Sequence, residues 1–293
     1  MNERIYVAGP DTSSVAVLDA VTLEHLASVG AGARPYAPAL AGERLYVTDF
    51  GGRSVTVIST ATLAVVGRIP VGDHPGGIVI DPAGRHAYVT NYQSSDVSVI
   101  DLRRDTVTGT IAVGRNAAAP ALAGERLYVT NFESHDLSVI DTAAGEVIAT
   151  VPVGPHPNGV AVTRDGAHVY VTTTGANLPG QDNDVLVLDA ATLEEVATVR
   201  VESGPYGIAA SPGHDRVYVT HYYSRSVIGI DTVTRRIVSR TEVGESPEAL
   251  TLSPKGTRLY VCSTRAHLVS AIDTATGQIV ATAPVRRPAG VAA

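Results

Sequence analysis

The feature that most constrains this chain is a Tyr-Val pair that returns seven times, at Tyr6, Tyr46, Tyr88, Tyr128, Tyr170, Tyr218 and Tyr260, at intervals of 40, 42, 40, 42, 48 and 42 residues. A unit that short cannot bury its own apolar face, so such a chain must stack or ring its repeats. Within one unit, Arg126-Leu-Tyr-Val-Thr-Asn131 and Leu137-Ser-Val-Ile-Asp141 read as two strands. A turn typified by Asp141-Thr-Ala-Ala-Gly145 leads to a third run from Val147 to Gly154, and after a Pro-containing bend a fourth runs from Gly159 to Thr163. Short apolar runs bounded by turn residues are strand signals. Four per unit, seven times over, predict an all-β fold: a seven-bladed β-propeller of four-stranded antiparallel blades. Composition agrees, because 44% hydrophobic residues with only 5% aromatics leave the bulk to Val, Ala, Ile, Leu and Thr, which suit sheets.

The two ends predict how the ring closes. The sequence opens on Arg4-Ile-Tyr-Val7, the second strand of a unit, and finishes on Arg287-Pro-Ala-Gly-Val-Ala292, the first strand of one. The C-terminal strand is therefore expected to join the N-terminal blade, removing exposed edges and making residues 1–293 a single domain.

Several function classes are disfavoured. A net charge of -7 argues against a nucleic-acid coat or polybasic membrane binding, so no nucleic acid and no membrane are expected as partners. The single cysteine, Cys262, excludes an intramolecular disulfide and a multi-cysteine metal site, and reads as a small buried hydrophobe. Met1–Pro10 lacks the regions of a signal peptide and no long apolar run follows, which gives a cytoplasmic expectation. Walker, His-Glu-x-x-His and nucleophile-elbow motifs are absent.

Loops from the fourth to the first strand and from the second to the third share one face, the top, around the channel mouth. The seven repeat tyrosines are expected to pack between blades. The other aromatics, Tyr36, Phe50, Tyr92, Phe132, Tyr206, Tyr222 and Tyr223, all fall in segments assigned to top loops, where they line a ligand site or cap neighbouring blades. The position before the repeat Pro reads Arg34, His74, Asn116, His156, Gly204, Ser246 and Arg287; the position after it reads Tyr36, Gly76, Ala118, Asn158, Tyr206, Glu248 and Ala289. The end of the second strand reads Gly9, Asp49, Asn91, Asn131, Thr173, His221 and Ser263. Such chemically mixed rings fit a bound, non-symmetric small molecule. They nominate Arg34, Tyr36, Asp49, Phe50, Tyr92, Phe132, Asn158, Tyr206, Tyr222, Glu248 and Arg287 as ligand contacts. His74, His156 and His221 are nominated for acid–base catalysis, since imidazole titrates near neutral pH. His25, His86, His168 and His214 fall near bottom turns and read as solvated surface, as do His135 and His267 away from the axis. No cofactor is implied as required, although His74, His156 and Glu248 are a conceivable site for a divalent metal such as magnesium. The longest interval comes from an insertion at Thr173–Asn183, a candidate lid.

Tyr88-Val-Thr-Asn91 and Tyr128-Val-Thr-Asn131 carry the motif of the YVTN family of seven-bladed propellers, which the chain resembles over essentially its whole length. Members are often surface or periplasmic proteins, and related propellers are scaffolds, enzyme subunits or small-molecule lyases, so the resemblance speaks to fold. Gly204-Pro-Tyr-Gly-Ile208 is similar to a repeat of streptogramin B lyases, propellers in which His and Glu above the channel, with magnesium, open a cyclic ester by elimination. That partial resemblance implies a mechanism class in which His156 or His221 abstracts a proton, Arg34 or Arg287 stabilises developing negative charge, and Tyr36 or Tyr206 orients substrate. The expected function is a lyase, isomerase or cyclase acting on a small, partly aromatic or anionic metabolite. The alternative is a non-catalytic scaffold gripping a peptide or partner protein through its top face.

Overall fold

A computed structural model describes residues 3–175 and 183–293. The described strands form seven four-stranded antiparallel sheets, each in simple meander order, and no helix among the described residues is long and apolar enough to cross a membrane. Blade 1 combines both ends of the chain: Gly290–Ala292 is innermost, followed by Arg4–Gly9, Ser14–Asp19 and His25–Gly30. Tyr6 pairs with Ala292 and Val7 with Val291, which is the predicted closure. Blades 2 to 7 begin with the innermost strands Pro35–Ala41, Pro75–Ile80, Ala117–Ala123, Pro157–Val162, Pro205–Ala210 and Pro247–Leu252.

The core is a ring of seams rather than one central mass. One cluster joins Tyr46, Val55, Val57 and Ile69 of blade 2 to Ala87, Val89, Ile100 and Leu102 of blade 3, and the other seams repeat the pattern. Alternation on the second and third strands sends apolar residues to both faces, because each blade is covered on both sides by neighbours. The repeat tyrosines lie in these seams. Tyr260 donates to the Ala20 carbonyl of the next blade at 2.8 Å and Tyr46 to Asp105 at 3.2 Å.

The threonine that follows Tyr-Val crosses the same seams nearer the top. Thr48 Oγ1 donates to Gly76 O at 2.8 Å, Thr90 to Ala118 O at 2.7 Å, Thr130 to Asn158 O at 2.8 Å, Thr172 to Tyr206 O at 2.7 Å and Thr220 to Glu248 O at 3.0 Å. Every acceptor is the residue just after the repeat Pro position, so the hydroxyls fix the backbone that carries the mouth. At the last seam Cys262, fully buried, occupies the threonine position, and Thr264 donates instead to Pro288 O at 3.0 Å.

Candidate functional site

A β-bulge builds the mouth. In blade 2 the ladder pairs Pro35 with Asp49 and resumes at Pro38 with Val47; equivalent shifts follow Pro75, Ala117, Pro157, Pro205 and Pro247. A bulge removes a residue from the ladder and re-aims its side chain, and the residue released here is the one after the Pro. The next position is commonly glycine for want of room. A Cβ on Gly207 would lie 2.2 Å from Glu248 O, on Gly290 2.2 Å from Tyr36 O, and on Gly159 2.6 Å from Tyr206 O. The Pro-x-Gly turn is thus the closest approach of adjacent inner strands.

Tyr36 of blade 2, Tyr206 of blade 6 and Glu248 of blade 7 converge in the channel. The two phenols interact with each other across the ring, Glu248 is near both, and Tyr92 of blade 3 faces the same space. Tyr36 and Tyr206 stand inside the innermost strands, not in loops as the sequence had placed them. Burial raises the Tyr36 hydroxyl above its ordinary range, while Tyr206 is raised further, first by Tyr36 and then by burial. Burial also raises the Glu248 carboxyl, opposed by the nearby Thr264 side chain and by the charges of Arg287 and Arg265. These groups therefore hold their protons more tightly than the same groups in water.

Above them runs an aromatic arc. Phe50, Tyr92 and Phe132 occupy one register position in blades 2, 3 and 4, with centroids 6.5 and 6.4 Å apart. Tyr36 lies 5.6 Å and His74 4.8 Å from Phe50, and His156 lies 4.6 Å from Phe132. A second group places Tyr222 6.4 Å from Tyr206 and 5.0 Å from Tyr223. Arg34 sits over Phe50 at 5.5 Å and Arg265 over Tyr222 at 5.7 Å, within cation–π range.

Other nominated residues are placed differently. Asp49 is 1% exposed and accepts from the amides of Ala33 at 2.9 Å and Arg34 at 2.7 Å, so it holds a loop and is withdrawn from the mouth. Asn158 donates to Thr174 at 2.7 Å and to the His156 carbonyl at 3.3 Å. Arg287 pairs with Asp11 at 3.4 Å on the rim. His74 and His156 adopt left-handed backbone at φ 54° and 47°, the conformation Gly204 takes at the same position. His135 and His267 are not simply solvated: through Nδ1 they accept the amides of His156 at 3.1 Å and Arg287 at 3.0 Å, latching one blade to the next.

His221 departs most from expectation. It is fully buried, neither ring nitrogen has a hydrogen-bond partner, and burial lowers its pKa to about 4, against the opposing charge of Glu202. A ring closed off from solvent cannot exchange protons with a ligand in the mouth, and the proton-carrier expectation does not fit this placement. Among the described residues no three His, Cys, Asp or Glu side chains converge to hold a metal ion, so His74, His156 and Glu248 do not form the expected metal site. The insertion proposed as a lid has residues 176–182 outside the described residues.

Sequence reasoning missed the lower face. A cavity of about 440 Å³ lies where inner-strand ends such as Leu122 and Val162 meet the turn residues Gly124, Arg164, Asp165 and Pro212, with a smaller one beside His214 and Arg216. Its lining mixes aliphatic strand ends with turn residues and the charges of Arg164 and Asp165, and it lacks the aromatic convergence of the top.

No protein-family model matches the chain, and no curated protein matches it. Among solved structures, a chain of Kuenenia stuttgartiensis hydrazine synthase is similar with a TM-score of 0.82 and 24% identity, over 92% of this chain and 95% of that one. A functionally unknown protein from Desulfotomaculum acetoxidans DSM 771 is similar with a TM-score of 0.84 and 15% identity, over 99% and 98%. At such identities both likenesses speak to the fold alone.

Proposed function

We propose that this propeller binds a small, flat, partly apolar molecule at its top mouth, with the aromatic arc as stacking surface and the channel cluster as polar end. The observation that carries the reading is the arc itself: Phe50, Tyr92 and Phe132 in consecutive blades, each partly exposed, above Tyr36, Tyr206 and Glu248. Partly exposed aromatics beside convergent polar groups are the usual make-up of a ligand site. The Tyr-Val-Thr repeat supports grouping the chain with YVTN-type propellers, as a matter of fold.

A catalytic reading, as a lyase, isomerase or cyclase, has one observation in its favour. Glu248 is a carboxyl that burial raises above its usual range beside two phenols, the direction that suits a general acid. On that reading Glu248, not His221, moves the proton.

The test is a ligand-observed NMR screen of small aromatic fragments. Fragments should bind the native chain, lose binding on the order of tenfold in Tyr92→Ala or Phe132→Ala, and be indifferent to Asp165→Ala on the lower face. Fragments that respond to Asp165→Ala and ignore both top-face changes would refute the assignment.

A further inference from the structure

The polar end of the mouth is built almost wholly of donors. Tyr36, Tyr92 and Tyr206 bring phenol hydroxyls from blades 2, 3 and 6. Arg34 and Arg265 form no ion pair with a carboxylate among the described residues and lie over ring faces instead. Arg287 adds a third cation, partly engaged by Asp11. Among the described residues Glu248 is the acid beside Tyr36 and Tyr206, while Glu133 stands near Tyr92. Facing Glu248 are Tyr36 and Tyr206 from the inner strands, Thr264, Arg265 and Arg287 from the rim, and Cys262 from the seam behind, whose thiol is raised by its own burial. Ring faces and surplus donors together select an acceptor-rich anion on an aromatic body.

Resting on the mouth-binding reading above, we infer that the ligand is a small aromatic carboxylate, received by Tyr36, Tyr92 and Tyr206 beneath the arginine rim and beside Glu248. An ionised Glu248 would face the ligand's own negative charge. The complex therefore favours the protonated carboxyl and takes up a proton when Glu248 is ionised beforehand, so affinity falls as pH rises.

The experiment is calorimetric titration of the full chain with 3-phenylpropionate, 3-phenylpropanol and 3-phenylpropylamine, near pH 5.5 and near pH 8. Expected are binding of the carboxylate on the order of tenfold tighter than the alcohol, weakening of the carboxylate alone at the higher pH, and net proton uptake across buffers of different ionisation enthalpy. Glu248→Gln should bind the carboxylate at least as tightly as the native chain near pH 8 and lose its pH dependence. Tyr206→Phe should weaken the carboxylate on the order of tenfold and leave the alcohol unchanged. Preference for the amine, or loss of carboxylate binding in Glu248→Gln with the alcohol still bound, overturns the inference while sparing the mouth. If none of the three probes binds, the mouth reading falls and this inference with it.

Discussion

At the residue scale, blade 6 rearranges a local design that blades 3 and 4 share. In blades 3 and 4 an asparagine ends the second strand, donating from Asn91 to Asp96 at 2.6 Å and Ser98 at 2.9 Å, and likewise from Asn131 to Asp136 and Ser138. Room for it comes from a glycine in the preceding loop: a Cβ on Gly72 or Gly114 would lie 2.7 Å from the asparagine side chain. Blade 6 substitutes His221 for the asparagine and Glu202 for the glycine, and Glu202 binds Ser226 and Arg240. Because His221 is neutral in the fold down to about pH 4 while an unfolded histidine protonates near 6.5, the unfolded chain binds more protons between those values. Stability therefore falls as pH drops through that window, by about 3 kcal/mol for this group when the drop is complete. Denaturant unfolding at neutral and mildly acid pH should show that loss shrinking in His221→Asn. An unchanged pH slope in the variant would show that the sensitivity lies elsewhere.

At the element scale, seams between blades carry bonds that no single blade reveals. Thr130 donates to Asn158 O across a seam and Ala119 N donates back to Thr130, so one hydroxyl satisfies groups in two blades. Thr130→Val keeps the shape and leaves a half-buried carbonyl without its donor, at a cost of about 1 to 2 kcal/mol. Urea unfolding of the variant reads this directly, and a change below the error of the method would reduce the threonine of the motif to a packing residue. The sequence announced a threonine at this position in five blades and a cysteine in blade 7, yet not what the hydroxyl does. Its acceptor lies 28 residues away in the chain, and that distance becomes contact only when the blades are set side by side.

For the whole molecule, closure is the property that the two ends create together. The strand Gly290–Ala292 completes blade 1, and Val291 and Ala292 enter the cores on either side of that blade. Removing residues 287–293 should lower the melting temperature and produce concentration-dependent association, because Arg4–Gly9 becomes an unpaired edge at the channel. Light scattering with thermal melting checks both. A truncated chain that stays monomeric and melts like the full one would show that the ring does not depend on this strand.

The sequence by itself determined the number of blades, the strand content of each and the pairing of the ends, because these follow from a local period and from alternation, which are properties of neighbours in the chain. It also marked the aromatics of the top. Only the tertiary structure decided which nominated residues meet. Asp49 and His221 share their register with the mouth and turn inward into seams, where loop amides and Glu202 await them, while Tyr36, Tyr206 and Glu248, from blades 2, 6 and 7, project from bulges into one space. A bulge shifts a ladder and reverses where a side chain points, and a ring brings distant blades face to face. Neither effect is written in the spacing of residues along the chain, and both arise only when seven sheets close on a common axis.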